Sequence, residues 1–225
     1  MATLLVRLAA PLQSWATASH FDLRATERAP SKSAVVGLVA AAMGRGRDED
    51  VADLADLTLG VRVDRAGSLL VDYHTAGGGY VDARGRPSGV VSANGVDRRS
   101  VVTRRVYLQD ACFLVGLEGE RAILEAINEA LRRPRWPLAL GRRSCPPMPP
   151  VHAPGGPVDL PLEEALRVAP WSMVERGDPP DELELVIEDP HGDETVYDQP
   201  VQSFALRRFA PRRLRRITVP MPEAA

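Results

Sequence analysis

Strand and helix signals alternate in a simple order over residues 3–134 of this 225-residue chain. Residues 3–10 form a mostly apolar run that ends at a proline, which is typical of a buried strand. A helix is predicted next, because the proline and serines at 30–33 are start signals and Gly44 is a stop signal. The chain therefore opens with a strand, a long loop and a helix.

Two more strands are predicted at 57–65 and 68–75, on either side of a glycine turn. A further strand is predicted at 107–119. The clearest helix covers 120–134, with acidic residues early and arginines late. This order predicts an α+β fold with a ferredoxin-like core and helices on one face of the sheet, the architecture of RNA-recognition modules.

The segment between the strands at 68–75 and 107–119 is rich in glycine and only weakly apolar from residue 76 to about residue 95. Such a composition cannot build a core of its own. Two interpretations remain, a disordered loop or a projecting hairpin that becomes ordered on a partner. Since another strand follows soon after, the segment is predicted to be an excursion between two core strands.

The C-terminal third has a different composition. Residues 146–157 contain many prolines and predict a linker. Beyond it, residues 182–189 alternate aliphatic and acidic side chains, which predicts a half-buried strand, and further strand candidates follow. The predicted organisation is an RNA-recognition-like domain over residues 1–145 and a small, mostly β domain over residues 158–225.

The formal net charge of −2 argues against a generally basic nucleic-acid binder, but the charges are unevenly distributed. Acidic residues crowd the segment 159–198, whereas 199–222 contains six arginines and no acidic residue. Adjacent arginines also occur at 98–99, 104–105, 132–133 and 142–143. A balanced total can therefore hide a strongly basic face.

Cysteine usage and hydropathy predict a cytoplasmic protein. Cys112 and Cys145 have neither a metal-ligand spacing nor a disulfide framework, so reduced thiols are expected. The apolar start of the chain is short and is broken by Arg7, which excludes a signal peptide. The longest apolar run, 34–44, is far too short to span a membrane. No cofactor and no membrane contact are predicted.

Recognisable catalytic motifs are missing, since the sequence has no P-loop, no GxSxG elbow, no HExxH and no CxxC. Among the four histidines, only His74 stands beside another ionisable ring, that of Tyr73. These two could act as acid and base in cutting RNA, but a hydrogen-bonded histidine at a strand end is the commoner case. The abundant arginines and glycine hinges suit holding a phosphate backbone better than breaking a bond.

Two segments carry the residues of an anion-binding site. Residues 141–143, Gly-Arg-Arg, combine a close backbone approach with planar donors that match phosphate, although paired arginines are as often a solvated surface. Residues 31–33, Ser-Lys-Ser, stand at the start of the first predicted helix, where free amides and the helix dipole favour phosphate. Simple capping is the alternative explanation for these serines.

Five segments occur together in one order: RLAAPLQSW, PSKSAVVGLVAAAMG, DYHT, RRVYLQDACF and PLALGRRSCP. In this combination, residues 1–150 resemble the "Cas five" family, to which the CasD-type subunits of type I-E CRISPR Cascade complexes belong. The most specific pieces are LGRRSCP and the pairing of PLQSW with PSKSxxxGLxxxxxG. Residues after 150 resemble the family only loosely.

The resemblance implies an RNA-recognition-like core, a β-hairpin thumb at about 76–103 and a small C-terminal domain. It implies a subunit that holds the 5′ handle of the guide RNA (crRNA), caps the backbone filament, and contacts the backbone subunit CasC and the large subunit CasA, with target DNA reached only indirectly. It also implies that the chain is not an enzyme, because CasE cuts the precursor in type I-E systems. In type I-C relatives the family member is itself a metal-independent nuclease, so processing of precursor crRNA remains the alternative.

The resemblance also implies the residues that contact RNA. Arg142 and Arg143 are expected to bind handle phosphates, Arg105 to face the same RNA, and Trp15 to stack a base. The complete set of predicted RNA contacts is Gln13, Trp15, Arg28, Ser31, Lys32, Ser33, Arg104, Arg105, Gly141, Arg142, Arg143, Ser144 and Cys145.

Overall fold

A computed structural model of the chain describes residues 1–17, 22–77, 81, 83–86, 89–91, 98–148, 151–171 and 180–222, with the backbone alone for 98–99. The helices are α1 (Lys32–Met43), α2 (Ala52–Ala55), α3 (Arg121–Arg132) and α4 (Leu162–Val168). The strands are β1 (Ala2–Ala9), β2 (Leu12–Gln13), β3 (Leu23–Arg24), β4 (Thr58–Arg65), β5 (Ser68–Ala76), β6 (Val90–Val91), β7 (Arg98–Arg99), β8 (Val101–Gln109), β9 (Cys112–Gly119), β10 (Glu182–Glu188), β11 (Glu194–Pro200) and β12 (Phe209–Pro220).

Six strands form one antiparallel sheet in the order β1, β9, β4, β10, β12, β11. Its first three strands, together with α1 and α3, form a ferredoxin-like unit in which β9 lies between β1 and β4. Leu117 of β9 is opposite Leu4 of β1 and Leu59 of β4. A single antiparallel bridge between Val158 and Thr3 stands where the fourth strand of such a unit would pair with the first. The predicted ferredoxin-like core is confirmed, with its fourth strand reduced to one bridge.

The C-terminal strands extend this sheet and do not form one of their own. β10 pairs with β4, and β12 and β11 follow towards the edge, so the hydrogen bonding runs across the predicted domain boundary. The proline-rich segment 146–157 is also fastened to the N-terminal part, because the Asn128 side chain and the Ala153 backbone exchange hydrogen bonds of 2.9 and 3.0 Å. The β-rich C-terminal part is confirmed. The division into 1–145 and 158–225 stays a prediction, and the continuous sheet does not favour it.

Helices cover both faces of the six-stranded sheet. On one face α1 and α3 meet each other, and their apolar side chains form the main core with the strands. On the other face α4 lies close to the backbone of β4 and β9, because Gly60 and Gly116 have no side chains there. A Cβ atom at either glycine would crowd Leu162 or Leu166 of α4. The expectation of helices on one face only is therefore corrected.

A buried ion pair holds the C-terminal end of α4. Arg62 and Asp64 are 0% and 4% exposed, and Nε of Arg62 lies 2.6 Å from Oδ1 of Asp64. The guanidinium also donates to the carbonyl oxygens of Leu166 and Ala169, at 2.7 and 2.5 Å. Burial raises the pKa of the Asp64 carboxyl, and Arg62 opposes this effect. The pair satisfies helix-end carbonyls that would otherwise lack a donor.

Two short connections between the two larger sheets, β4–β5 and β8–β9, lie close together. The strand predicted at 107–119 is two strands, β8 and β9, which are separated at Asp110, a residue with a φ of +60°. β4 and β5 also belong to different sheets, although only a short turn joins them. In that turn Gly67 has a φ of +69° and lies against the backbone of Gln109 and Ala111. The two connections therefore pack against each other.

Candidate nucleic-acid interface

The second sheet lies at the root of the predicted thumb, and we call it the thumb-base sheet. It consists of β8 in the centre, β5 along one edge, and β2 and β3 along the other. β5 and β8 pair in register from Ser68 opposite Gln109 to Ala76 opposite Val101. β6 and β7 form a further small antiparallel pair. Residues 78–80, 82, 87–88 and 92–97 of the predicted thumb lie outside the described residues.

Alternation along β5 and β8 gives the thumb-base sheet two faces of different chemistry. On one face Tyr73 lies opposite Arg104 and Val71 lies opposite Val106. Tyr73 and Val71 are 65% and 60% exposed. We call this side the apolar face; its exposed apolar members are Leu23, Leu69, Val71, Tyr73 and Val102. Apolar clusters of this kind are typical of surfaces that contact another molecule.

The opposite side of the thumb-base sheet is polar. Arg105 donates through Nε to Oγ1 of Thr103 at 3.2 Å, and Nδ1 of His74 lies 3.6 Å from Oδ2 of Asp72. Because neighbouring residues of a strand point to opposite faces, Tyr73 is on the apolar face while His74 is on the polar one. The two rings are therefore not assembled as an acid and a base around one phosphodiester.

Arg142 fastens β3, and the residue that follows it, onto β8. Its guanidinium donates to the carbonyl oxygens of Val106 and Arg24 at 2.7 Å each, and to that of Ala25 at 3.3 Å. Its Cζ atom lies 4.6 Å from the centre of the Tyr107 ring. These donors fill the gap along β8 between β2 and β3, where backbone carbonyls would otherwise lack partners. A phosphate bound by Arg142 would have to compete with these contacts.

The residues on either side of Arg142 differ sharply in environment. Gly141 has a φ of +88°, and a Cβ atom there would overlap the carbonyl oxygen of Ser14, so this position requires glycine. Arg143 is exposed, and its side chain has no hydrogen bond or ion pair within the described part of the chain. The paired arginines of the sequence therefore divide into one fastening residue and one free donor.

The next two residues also differ. Ser144 is exposed, and its Oγ lies 3.5 Å from the Tyr107 hydroxyl. Cys145 is buried, and burial raises the pKa of its thiol. The predicted RNA contact of Cys145 is therefore corrected, because its side chain faces the core. Ser144 remains a candidate.

Gln13 and Trp15, both predicted to line the RNA, are completely buried. The Trp15 ring meets Phe113 edge-on, with ring centroids 6.5 Å apart, and its Nε1 donates to Oε1 of Gln13 at 3.1 Å. Nε2 of Gln13 donates in turn to the carbonyl oxygen of Ala111 at 2.6 Å. Base stacking by Trp15 is corrected, because the ring would have to leave the core. Through these hydrogen bonds, Gln13 and Trp15 instead connect the segment at β2 to the turn between β8 and β9.

The N-terminus of α1 already has an anion of its own. The Lys32 amide donates to Oδ2 of Asp198 at 2.7 Å, and Nζ lies 2.9 Å from both carboxylate oxygens of Glu188. Burial lowers the pKa of the Lys32 ammonium, and Glu188 opposes this effect. Ser31 is buried, and its Oγ lies 3.4 Å from that of the half-buried Ser33. The phosphate contact predicted for Lys32 is corrected, because protein carboxylates hold both its amide and its ammonium group. The burial of Ser31 does not favour its predicted contact, and that of Ser33 stays a prediction.

Two exposed arginines lie on the β3 side of the thumb-base sheet. Arg28 was predicted from the sequence, whereas Arg24 was missed. Arg24 lies directly opposite Arg105 on β8. The apolar face was missed as well, although the run of aliphatic residues at 69–71, next to a segment that cannot form a core, was a usable signal. Arg24, Arg104 and Arg105 therefore lie within one sheet, with Arg104 on its apolar face and Arg105 on its polar face, and Arg28 and Arg143 lie in loops next to it in the chain.

No group of three or more His, Cys, Asp or Glu side chains among the described residues is arranged to hold a metal ion. No described helix has the length and hydropathy needed to cross a membrane. Both cysteines are free and buried.

Comparison with known proteins identifies the family. The chain matches the family model described as CRISPR-associated protein (Cas_Cas5) over residues 3–217, and it belongs to the Cas5 family of CRISPR-associated proteins. The match extends well beyond residue 150, where the sequence resemblance was loose. The chain is 34% identical over 158 residues to the CRISPR system Cascade subunit CasD of Escherichia coli strain K12. That alignment spans 64% of this chain and 66% of the relative, just under two thirds of its length.

Two solved structures share the fold over nearly the whole chain. A crystal structure of a Cas protein superposes with a TM-score of 0.79 and 48% identity, covering 98% of both chains. A chain from a CRISPR RNA-guided surveillance complex superposes with a TM-score of 0.79 and 34% identity, covering 98% of this chain and 91% of that one. The predicted family and fold class are thus confirmed.

Proposed function

We propose that this chain is a non-catalytic RNA-binding subunit of a type I-E Cascade complex in the cytoplasm, and that it holds the 5′ handle of the crRNA on the thumb-base sheet. Its family and its similarity to CasD support membership of such a complex. The observation that carries the RNA assignment is the state of the arginines around this sheet. Five of them have no carboxylate partner among the described residues: Arg24, Arg28, Arg104, Arg105 and Arg143.

The register of β3 and β8 makes this arrangement unfavourable without a ligand. Arg24 lies directly opposite Arg105, and like charges in that position destabilise a sheet. Asp72 is opposite Arg105 on the other edge, but it forms no ion pair with it and instead lies near His74. Phosphate oxygens between the two guanidinium groups would neutralise both and match their planar donors. The site is therefore better suited to a phosphate backbone than to solvent alone.

Several surface arginines elsewhere in the chain are paired with carboxylates. Arg45 pairs with Asp53, Arg121 with Asp159, and Arg167 with Glu163, at distances between 2.5 and 2.6 Å. Other described arginines are also unpaired, but on the thumb-base sheet two of them, Arg24 and Arg105, lie directly opposite each other.

The apolar face gives this subunit a second contact surface. Its exposed aliphatic and aromatic side chains offer little to a phosphate backbone but suit a protein neighbour. We assign it to the terminal CasC subunit, so that the thumb passes between the guide and that neighbour. The contact with CasA and the indirect access to target DNA rest on family resemblance alone.

The alternative is a metal-independent ribonuclease that processes precursor crRNA. One observation favours it, namely the half-buried His74 on the polar face, whose Nδ1 lies 3.6 Å from Oδ2 of Asp72. A His74→Ala variant tests it directly. We expect guide processing in the assembled system to remain intact, and loss of cleavage with RNA still bound would select the nuclease function.

The handle-binding proposal is tested with the double variant Arg105→Gln/Arg143→Gln, co-expressed with the other subunits and the guide. The matched control is Arg45→Gln/Arg121→Gln, which removes the same charge from paired arginines. Each lost phosphate contact should reduce the salt dependence of RNA binding by about one unit of slope. We expect Arg105→Gln/Arg143→Gln to retain the guide less well while its thermal transition is unchanged. The control should retain the guide normally. Equal guide retention and equal salt dependence of RNA binding in the two variants would contradict the proposal.

A further inference from the structure

The six arginines near the C-terminus divide into two groups of three. Three are neutralised by carboxylates: Arg212 by Asp198, Arg215 by Glu163 and Asp189, and Arg216 by Glu184 and Glu194. The other three are exposed, and their side chains have no ion pair or hydrogen bond within the described part of the chain: Arg207, Arg208 and Arg213. Charge neutralisation within the protein thus explains only half of this arginine-rich segment.

The unpaired arginines lie beside exposed aromatic rings. Arg213 is opposite Thr195 on β11, and a bulge follows in β11 between Val196 and Gln199. Tyr197, within that bulge, is 68% exposed, and Phe209 at the start of β12 is 41% exposed. A bulge at a sheet edge re-aims side chains, and here it lies in the outermost strand of the six-stranded sheet.

The alternation of β12 places the exposed groups on one face. Arg212 and Leu214 are turned inward, the first to Asp198 and the second into the main core. Phe209 and Arg213 stand at the alternate positions, and both are exposed. Tyr197 alternates in the same way with the buried Asp198. The outward face at this end of the sheet therefore combines a free guanidinium with two rings.

We propose that this face is a second nucleic-acid site, which takes a short single-stranded segment. Its rings, Tyr197 and Phe209, stack unpaired bases, and Arg213, with Arg207 and Arg208 immediately before β12, contacts the backbone phosphates. Exposed rings of this kind select single strands, because the bases of a duplex are already stacked on one another.

Charge decides between a nucleic acid and a protein as the occupant. Residues 199–222 contain no acidic side chain, and Glu194 and Asp198 of β11 are engaged by Arg216 and Arg212. The exposed Asp48 lies in the turn whose Arg47 carbonyl accepts from the Ala205 amide, but Arg207, Arg208 and Arg213 form no ion pair within the described part of the chain. The face therefore keeps free guanidinium groups beside its rings. The apolar face at the thumb base is different, since aliphatic side chains dominate there.

The second site is independent of the proposed handle site. Its residues lie in β11, β12 and the turn before β12, whereas the handle site lies in the separate thumb-base sheet. Variants at one site leave the other unchanged. Failure of one proposal is therefore distinguishable from failure of the other.

The test measures binding of labelled short single-stranded RNA, single-stranded DNA and duplex DNA to the full chain, with salt varied, in the Arg105→Gln/Arg143→Gln background. Arg213→Gln is compared with Arg216→Gln, which removes the same charge from the same strand but from an already paired arginine. We expect Arg213→Gln to lower the salt slope by about one and Arg216→Gln to leave it unchanged. Tyr197→Ala/Phe209→Ala should weaken single-strand binding about fivefold or more, with little effect on duplex.

The outcomes separate the possible occupants. Stronger binding of RNA than of DNA single strands assigns the site to the guide, and the reverse order assigns it to a DNA strand. Equal loss of affinity in Arg213→Gln and Arg216→Gln would overturn the proposal in favour of net charge alone. Unchanged single-strand affinity in Tyr197→Ala/Phe209→Ala, with defective assembly of the complex, would overturn it in favour of a protein partner.

Discussion

The six-stranded sheet and the thumb-base sheet differ in the ion pairing of their cations and in the exposure of their apolar side chains. In the first, three buried or half-buried cations have carboxylate partners: Arg62 with Asp64, Lys32 with Glu188 and Arg212 with Asp198. In the second, arginines lie opposite one another without a carboxylate, and tyrosine and valine are exposed on the other face. Apart from the outward face of β11 and β12, the first sheet completes its own contacts, whereas the second leaves contacts to be made by a partner.

This difference has an energetic consequence. Substitutions of the paired residues in the six-stranded sheet should lower the stability of the isolated chain, because they leave buried polar or charged groups without their partners. Substitutions of the exposed arginines and exposed apolar residues on the thumb-base sheet should leave the isolated chain nearly unaffected and should appear only in the assembled complex. Stability and assembly can thus be measured separately on the same variants.

The largest effect is expected for Arg62→Ala. This change leaves Asp64 buried without its partner and removes donors from the end of α4, so the free energy of unfolding should fall by about 3–5 kcal/mol. Urea unfolding of the isolated chain measures it. The double variant Arg62→Met/Asp64→Leu is the control, since it leaves no uncompensated charge and should recover much of the loss. A cost well under 1 kcal/mol for Arg62→Ala would show that this sheet does not depend on its internal ion pairs.

The next effect distinguishes two adjacent arginines. Arg142→Ala removes a charged donor from the carbonyls of Val106 and Arg24, and should lower the free energy of unfolding by about 1.5–3 kcal/mol. Arg143→Ala removes an exposed side chain and should change it by less than about 0.5 kcal/mol. Guide retention by the assembled complex should show the opposite order. Arg143→Ala should retain the guide less well although its fold is intact. Equal stability losses in the two variants would contradict this division of roles.

Local patterns were sufficient to predict the elements that build the core. β1, α1, α3 and β10 follow from apolar periodicity together with proline and glycine signals, and these act over a few residues. The break at Asp110 was missed, because a non-glycine residue with positive φ leaves no such signal in the sequence. The pairing of β10 with β4 was also missed, since it joins segments more than a hundred residues apart.

The candidate site was harder to predict, because identical residues have different fates in the folded chain. Arg142 and Arg143 are neighbours in sequence, but only the tertiary positions of β3, of the Ala25 that follows it and of β8 give Arg142 its carbonyl partners. Trp15 is a loop aromatic by sequence, and only the packing of Phe113 makes it a core residue. The sequence around Lys32 is typical of a phosphate contact, but in the folded chain Glu188 and Asp198 of the C-terminal strands bind Lys32 instead.

A smaller effect on stability is expected at the apolar face, where Val71→Ser/Tyr73→Ser should change the free energy of unfolding by less than about 0.5 kcal/mol. Assembly with the neighbouring backbone subunit should nevertheless be impaired, because apolar contact area is lost there. Val168→Ser/Trp136→Ser is the matched control, since it removes exposed apolar side chains elsewhere. Size-exclusion chromatography of the co-expressed complex measures the effect. Normal assembly of the first variant would show that the apolar face has no neighbour.

The smallest effect is a pH dependence carried by Arg215. Its guanidinium lowers the pKa of the Glu163 carboxyl, and with the His191 amide it lowers that of Asp189. Carboxyls with a lowered folded-state pKa stabilise the protein fully above their unfolded values, 4.5 and 3.8, and lose that contribution as the pH falls through the folded values. Arg215→Gln should therefore reduce the loss of stability on acidification between about pH 6 and about pH 3. The change should be modest, because these side chains are partly exposed. Urea midpoints against pH measure it, and Arg213→Gln, on the same strand without a carboxylate partner, should follow the wild-type curve. Identical curves for all three proteins would mean that the ion pairs of Arg215 contribute nothing to the acid stability of the six-stranded sheet.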